Sequence, residues 1–139
     1  MVEAQLALRE REILEASLEA LAARAGDPTA AVYERLFARY PETEALFVRD
    51  RNGAVKGEML AKVFECALDL AGPNAYAANF IRCEVVNHEG VGVPRELFPR
   101  FFEVAVDAFQ ALMGEAWTPE VDRTWRGLIA RMAALAQGA

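Results

Sequence analysis

Apolar residues recur along this chain at helical spacing, and no segment alternates apolar and polar in the way a strand requires. Leu6, Ile13, Leu14, Leu18 and Leu21 predict a first helix from Val2 to Ala25, stopped at Gly26, where glycine takes a left-handed cap at little cost. Asp27-Pro28 starts a second, with a side-chain acceptor at the cap and proline in the first turn; Val32, Tyr33, Leu36, Phe37 and Tyr40 form its apolar stripe. Pro41 ends that helix and opens a short turn of helix to Phe47. The charged run Val48 to Gly53 reads as a loop. A long helix follows over Ala54 to Ala71, with Leu60, Val63, Phe64, Ala67 and Leu68 apolar, and Gly72-Pro73-Asn74 breaks it. The next runs from about Ala75 to His88. Another opens at Pro94, with Leu97, Phe98, Phe101 and Phe102 on its apolar side, and reaches Met113. Thr118-Pro119 caps the last, which buries Val121, Trp125, Leu128, Ile129, Met132 and Leu135. The expected class is therefore all-α, with six main helices and a short seventh.

With 139 residues, 54% of them hydrophobic, the chain is expected to form one domain over residues 1–139 with a sizeable core. The net charge of -6 and the absence of a Lys/Arg cluster argue against a nucleic-acid partner or an anionic membrane surface. The start of the chain lacks the basic and apolar run of a signal peptide, and no apolar stretch would span a bilayer, so a cytoplasmic protein is expected. Cys66 and Cys83 have no C-x-x-C spacing; each reads as a small core residue rather than a zinc or redox ligand.

The chemistry concentrates in Asn87-His88-Glu89-Gly90-Val91-Gly92-Val93-Pro94, which carries the only histidine. A histidine at a helix end, followed by a Gly-rich turn and a long apolar helix, suits an apolar cofactor whose metal needs one neutral imidazole. A histidine that merely caps the helix is the simpler alternative, because positive charge is favoured at that end.

Three blocks, in order, decide between these. They are Tyr33-Glu34-Arg35-Leu36-Phe37-Ala38-Arg39-Tyr40-Pro41 with Phe47, then His88 followed after nine residues by Phe98-Pro99, then Met113-Gly114-Glu115-Ala116-Trp117-Thr118-Pro119 with Trp125. Their order and spacing resemble the globin family, and within it bacterial single-domain haemoglobins and the haem domain of flavohaemoglobins. The resemblance covers roughly residues 25 to 135. It implies a globin fold with one haem pocket and haem b (iron protoporphyrin IX) as cofactor.

By that resemblance His88 is the proximal ligand to iron and Phe47 presses on the haem face. Tyr33 points its hydroxyl at the gas ligand, where a donor to partial negative charge contributes about 1.5 to 3 kcal/mol and slows oxygen release roughly tenfold or more; the alternative is that Tyr33 bonds only a nearby carbonyl. On the distal helix, one register places Lys56 at the gate and Leu60 over the iron, with Gly57 at a close helix crossing and Glu58, Lys62 and Glu65 outward. Sliding by one residue puts Val55 and Met59 there instead and turns Phe64 to water. The first register is preferred. Lysine departs from the family's usual gate residue; Lys56 would reach a haem propionate, the gas ligand or the iron itself, or stay solvated. Ile81, Val85, Val93 and Phe98 are the expected proximal lining. Glu84, one turn before His88 where the family has an apolar residue, either reaches solvent past the haem edge or marks a local shift of the helix. Trp117 and Trp125 read as packing residues.

The expected function is reversible binding of oxygen, nitric oxide or carbon monoxide at an open distal site, with no catalytic residue assigned. The alternatives are a nitric oxide dioxygenase served by a separate reductase, or a haem-free helical module that binds a protein. Oligomeric state is left open.

Overall fold

The computed structural model describes residues 2–138. Six α-helices run in chain order: α1 (Val2–Ala25), α2 (Thr29–Arg39), α3 (Ala54–Leu70), α4 (Ala77–Gly90), α5 (Arg100–Met113) and α6 (Pro119–Gln137). Two 3-10 helices, Pro41–Phe47 and Gly114–Ala116, join α2 towards α3 and α5 to α6. No strand occurs among the described residues, so the all-α expectation holds.

Several boundaries follow from the residues that predicted them. Asp27 Oδ1 accepts from the Thr29 amide at 2.9 Å and from its hydroxyl at 2.6 Å, fixing the entry to α2. Thr118 caps α6 by accepting from the Val121 amide at 3.2 Å. Gly26 stops α1 with φ of 65°, in the left-handed region.

Two expectations change. The helix expected to open at Pro94 starts six residues later, at Arg100. Pro99 is the reason: it has no amide to continue a helical ladder, and with φ of -71° it takes the place just before the first residue of α5. Residues 95–99 form turns instead, with Leu97 N bonded to Pro94 O at 2.9 Å and Arg100 N to Leu97 O at 2.9 Å. On α1, Leu6 is 65% exposed rather than part of a buried stripe, because the packed part of that helix begins near Ile13.

The core gathers Leu14 and Leu21 of α1, Val32 and Leu36 of α2, Leu60 and Ala67 of α3, Phe109 of α5, and Trp125 and Leu128 of α6. Both tryptophans are tied down as packing residues. Trp125 donates from Nε1 to Ser17 Oγ at 2.9 Å, joining α6 to α1, and Trp117 donates to Asp122 Oδ1 at 2.9 Å. Among the described residues, no helix is long and apolar enough to cross a membrane.

The element that carries His88 is anchored by a buried carboxylate. Asp69, near the end of α3 and 5% exposed, accepts from three successive amides at the start of α4: Ala75 at 3.0 Å, Tyr76 at 3.1 Å and Ala77 at 2.9 Å. Burial alone would push its carboxyl up, but the three amide bonds outweigh that and hold it below the ordinary value. This side chain ties the start of α4 to the end of α3.

Candidate functional site

Between α3 and α4 lies a cavity of about 310 Å³, at the lower end of the ~300–1,000 Å³ usual for small-molecule sites. Val55, Met59, Val63 and Cys66 of α3 form one wall, and Ile81, Glu84 and His88 of α4 the facing one. Phe47, Val91, Val93, Phe98 and Phe102 also line it. The lining is overwhelmingly apolar, which suits a large flat hydrophobic molecule with polar groups at one edge.

His88 is held on three sides. Its Nδ1 lies 2.7 Å from the main-chain oxygen of Glu84, one turn back on the same helix. A carbonyl can only accept, so that nitrogen carries the proton and Nε2 of the neutral ring keeps its lone pair. Nε2 has no hydrogen-bond partner among the described residues. The Phe98 ring meets the imidazole edge-on at 5.1 Å between centroids. Beyond His88 the chain turns sharply: the amides of Val91 and Val93 both reach His88 O, at 3.1 and 2.9 Å. Gly92 makes the turn possible with φ of 99°, which a side chain would strain. An imidazole with one nitrogen fixed by a carbonyl and the other unpartnered in an apolar cavity is chemically able to ligate a metal.

The cavity gathers Phe47, Ile81, His88, Val93 and Phe98 of the expected residues, but not Tyr33, Lys56, Leu60 or Val85. Tyr33 is 2% exposed and spends its hydroxyl on Lys56 O at 3.0 Å. Burial, reinforced by the charge of Asp50, pushes its phenol well up, so it stays protonated. Lys56 lies behind Phe47, its Nζ 5.5 Å from the Phe37 ring centre and 6.0 Å from those of Tyr33 and Phe47, a cation–π placement. Leu60 and Val85 are buried in the core cluster. On α4 the cavity stripe runs through Ile81, Glu84 and His88 and passes beside Val85.

The wall of α3 is thus built in the Val55/Met59 register. The objection to it, a Phe64 facing water, does not arise, because Phe64 stacks on Phe109 at 5.3 Å and meets Trp125 at 6.5 Å. The helix has two buried faces, one on the core and one on the cavity. Nor is Gly57 at a close crossing: a Cβ there would meet nothing within 4 Å. Lys62, expected to point outward, lines the cavity with its ammonium 2.9 Å from Glu65 and 3.6 Å from Glu58. Those two carboxylates, Glu65 first, raise its pKa.

Sequence reasoning passed over Lys62 and Cys66 as cavity residues, although the spacing 55, 59, 62, 63, 66 marks one helical face. Burial pushes the Cys66 thiol up to about 11, so it lines the cavity as a neutral group. Thr43, also on the lining, donates its hydroxyl to Tyr40 O at 2.7 Å.

The site is thus an apolar slot in an all-helical protein, lined from α2 through α6 and presenting one imidazole with an unpartnered nitrogen. A model of the globin family matches residues 30–135, and the chain belongs to that family. Membership brings haem as the cofactor class and diatomic gases as its ligands. Neither the curated proteins nor the solved structures give a match.

Proposed function

We propose that this protein binds haem b in the cavity between α3 and α4, with His88 Nε2 as the proximal ligand to iron, and uses the opposite face for reversible binding of a diatomic gas. The observation that carries this reading is the bond from His88 Nδ1 to Glu84 O, which fixes the ring and frees Nε2 within an apolar slot. When bound, haem supplies the iron centre that takes the gas. The chain's own residues do the rest: Phe47 and Phe98 restrain the macrocycle and the imidazole, and Met59 and Val63 exclude water from the gas side. The protein acts in this reading as a single globin domain in the cytoplasm.

The distal wall sets the choice of gas. Tyr33 donates elsewhere, Thr43 is spent on Tyr40 O, Lys62 is paired with two glutamates, and Cys66 is a weak donor. Oxygen, which gains most from a donor, therefore lacks the ~1.5 to 3 kcal/mol that a hydrogen bond to a charged ligand contributes. Carbon monoxide, the less polar ligand, loses little. The test is stopped-flow measurement of oxygen and carbon monoxide dissociation from the ferrous protein and its Tyr33→Phe variant. Oxygen should leave rapidly, and Tyr33→Phe should change its rate less than about threefold, well under the tenfold or more of a lost donor. A tenfold acceleration would return Tyr33 to the gas site and refute the apolar-wall reading.

A further inference from the structure

Glu84 and Lys62 are the two charged residues in the wall of a largely apolar cavity, and Glu84 is the one beside His88. Burying part of a carboxylate is costly unless something is gained from its charge. Its side chain is 31% exposed, and both oxygens have defined neighbours. Oε1 accepts from Asn87 Nδ2 at 3.2 Å, which orients the group. Oε2 lies 3.7 Å from His88 Nδ1, beyond a hydrogen bond but within ion-pair reach. Nδ1, hydrogen-bonded to the main-chain carbonyl of Glu84 at 2.7 Å, thus also has the carboxylate of the same residue 3.7 Å away.

We infer that Glu84 is a positioning residue that, oriented by Asn87, strengthens His88 as an electron donor and biases the site towards ferric iron. The inference rests on the haem reading above. A negative charge beside Nδ1–H draws that proton outward and leaves more electron density on Nε2, the usual effect of a carboxylate behind a ligating histidine. Ferric iron carries one more positive charge than ferrous, so the same carboxylate stabilises the oxidised state more strongly. The group is partly solvated, which weakens the effect without reversing it. Proximal charge would then set the redox poise while an apolar distal wall sets gas choice, two separately adjustable halves of one site.

The test compares haem-loaded wild type with Glu84→Gln, which keeps shape and hydrogen-bonding capacity but removes the charge, and with Asn87→Ala, which only frees the carboxylate. Midpoint potential is read by spectroelectrochemical titration, and the strength of the iron–histidine bond by resonance Raman of the ferrous form. Glu84→Gln should lower the ferric-to-ferrous ratio at fixed ambient potential roughly tenfold, a shift of about +59 mV for one electron, and should lower the iron–histidine stretching frequency. Asn87→Ala should move both in the same direction by less. An unchanged potential and stretching frequency in Glu84→Gln, with the histidine still bound, overturns the inference and leaves the haem reading standing. A wild-type protein that retains no haem overturns both.

Discussion

Replacing Asp69 by alanine should destabilise the protein by about 2 to 4 kcal/mol, because hydrogen bonds to a buried charge contribute about 1.5 to 3 kcal/mol each and solvent can replace only part of the set. Three consecutive amides at the start of α4 lose their acceptor together. For a chain of this size the melting temperature should fall by roughly 10 °C. Asn, which keeps one acceptor oxygen, should lose about half as much. The contribution also has a definite pH window. The folded-state pKa of Asp69 is lowered, so its stabilisation is complete above the unfolded carboxyl value of about 4 and is lost as pH falls through the lower folded value. Thermal melts of wild type and Asp69→Ala should therefore converge as the pH is taken well below 4. Because Asp69 ties the start of α4, the helix that carries His88, to α3, the variant should also hold haem less tightly even where it is folded.

The second large effect concerns the cavity. Met59 is half-buried on the α3 wall, and Met59→Trp would place an indole in the space of the slot. Its backbone helix needs no change, so circular dichroism should stay that of the wild type. Haem affinity should fall by about 100-fold, equivalent to roughly 2.7 kcal/mol, measured by transfer of haem to an apo-acceptor. Leu60→Met, on the core face of the same helix, should leave haem transfer unaltered and cost less than about 1.5 kcal/mol of stability. The pair of variants separates the two registers of α3 directly.

That register is where the sequence stopped being readable. Periodicity located the apolar sector of α3, and caps such as Thr118 and Asp27 located helix ends, because both are local properties of the chain. Which edge of the sector faces a cavity depends on partners far away in sequence. Phe64 needed Phe109 and Trp125 to make it a core residue, and without them it looked stranded in the Met59 register. Tyr33 shows the same limit from the other side. The spacing to Pro41 and Phe47 was right, and Phe47 does reach the cavity, but the hydroxyl's partner is a carbonyl on α3 that no local pattern announces. Lys56, conspicuous as a charge, sits over three rings contributed by α2 and the Pro41–Phe47 helix. The surroundings of His88 are local by contrast, with Glu84 one turn back, Gly92 in the turn and Phe98 ten residues on, so its placement at the cavity could be read from the chain nearby. The late start of α5 was legible in principle, since Pro99 stood in the sequence with its usual consequence.

The most direct test of the central claim is a haem titration of wild type and His88→Gly, followed by absorption spectra of the ferric, ferrous and carbon monoxide forms with and without added imidazole. If His88 Nε2 holds the iron, wild type takes up one haem per chain, shows a histidine-type five-coordinate ferrous spectrum and shifts sharply with carbon monoxide. His88→Gly loses that spectrum and recovers it when imidazole fills the vacated space. Failure of the wild type to retain stoichiometric haem, or a His88→Gly spectrum identical to wild type, would contradict the assignment of this cavity and this ligand.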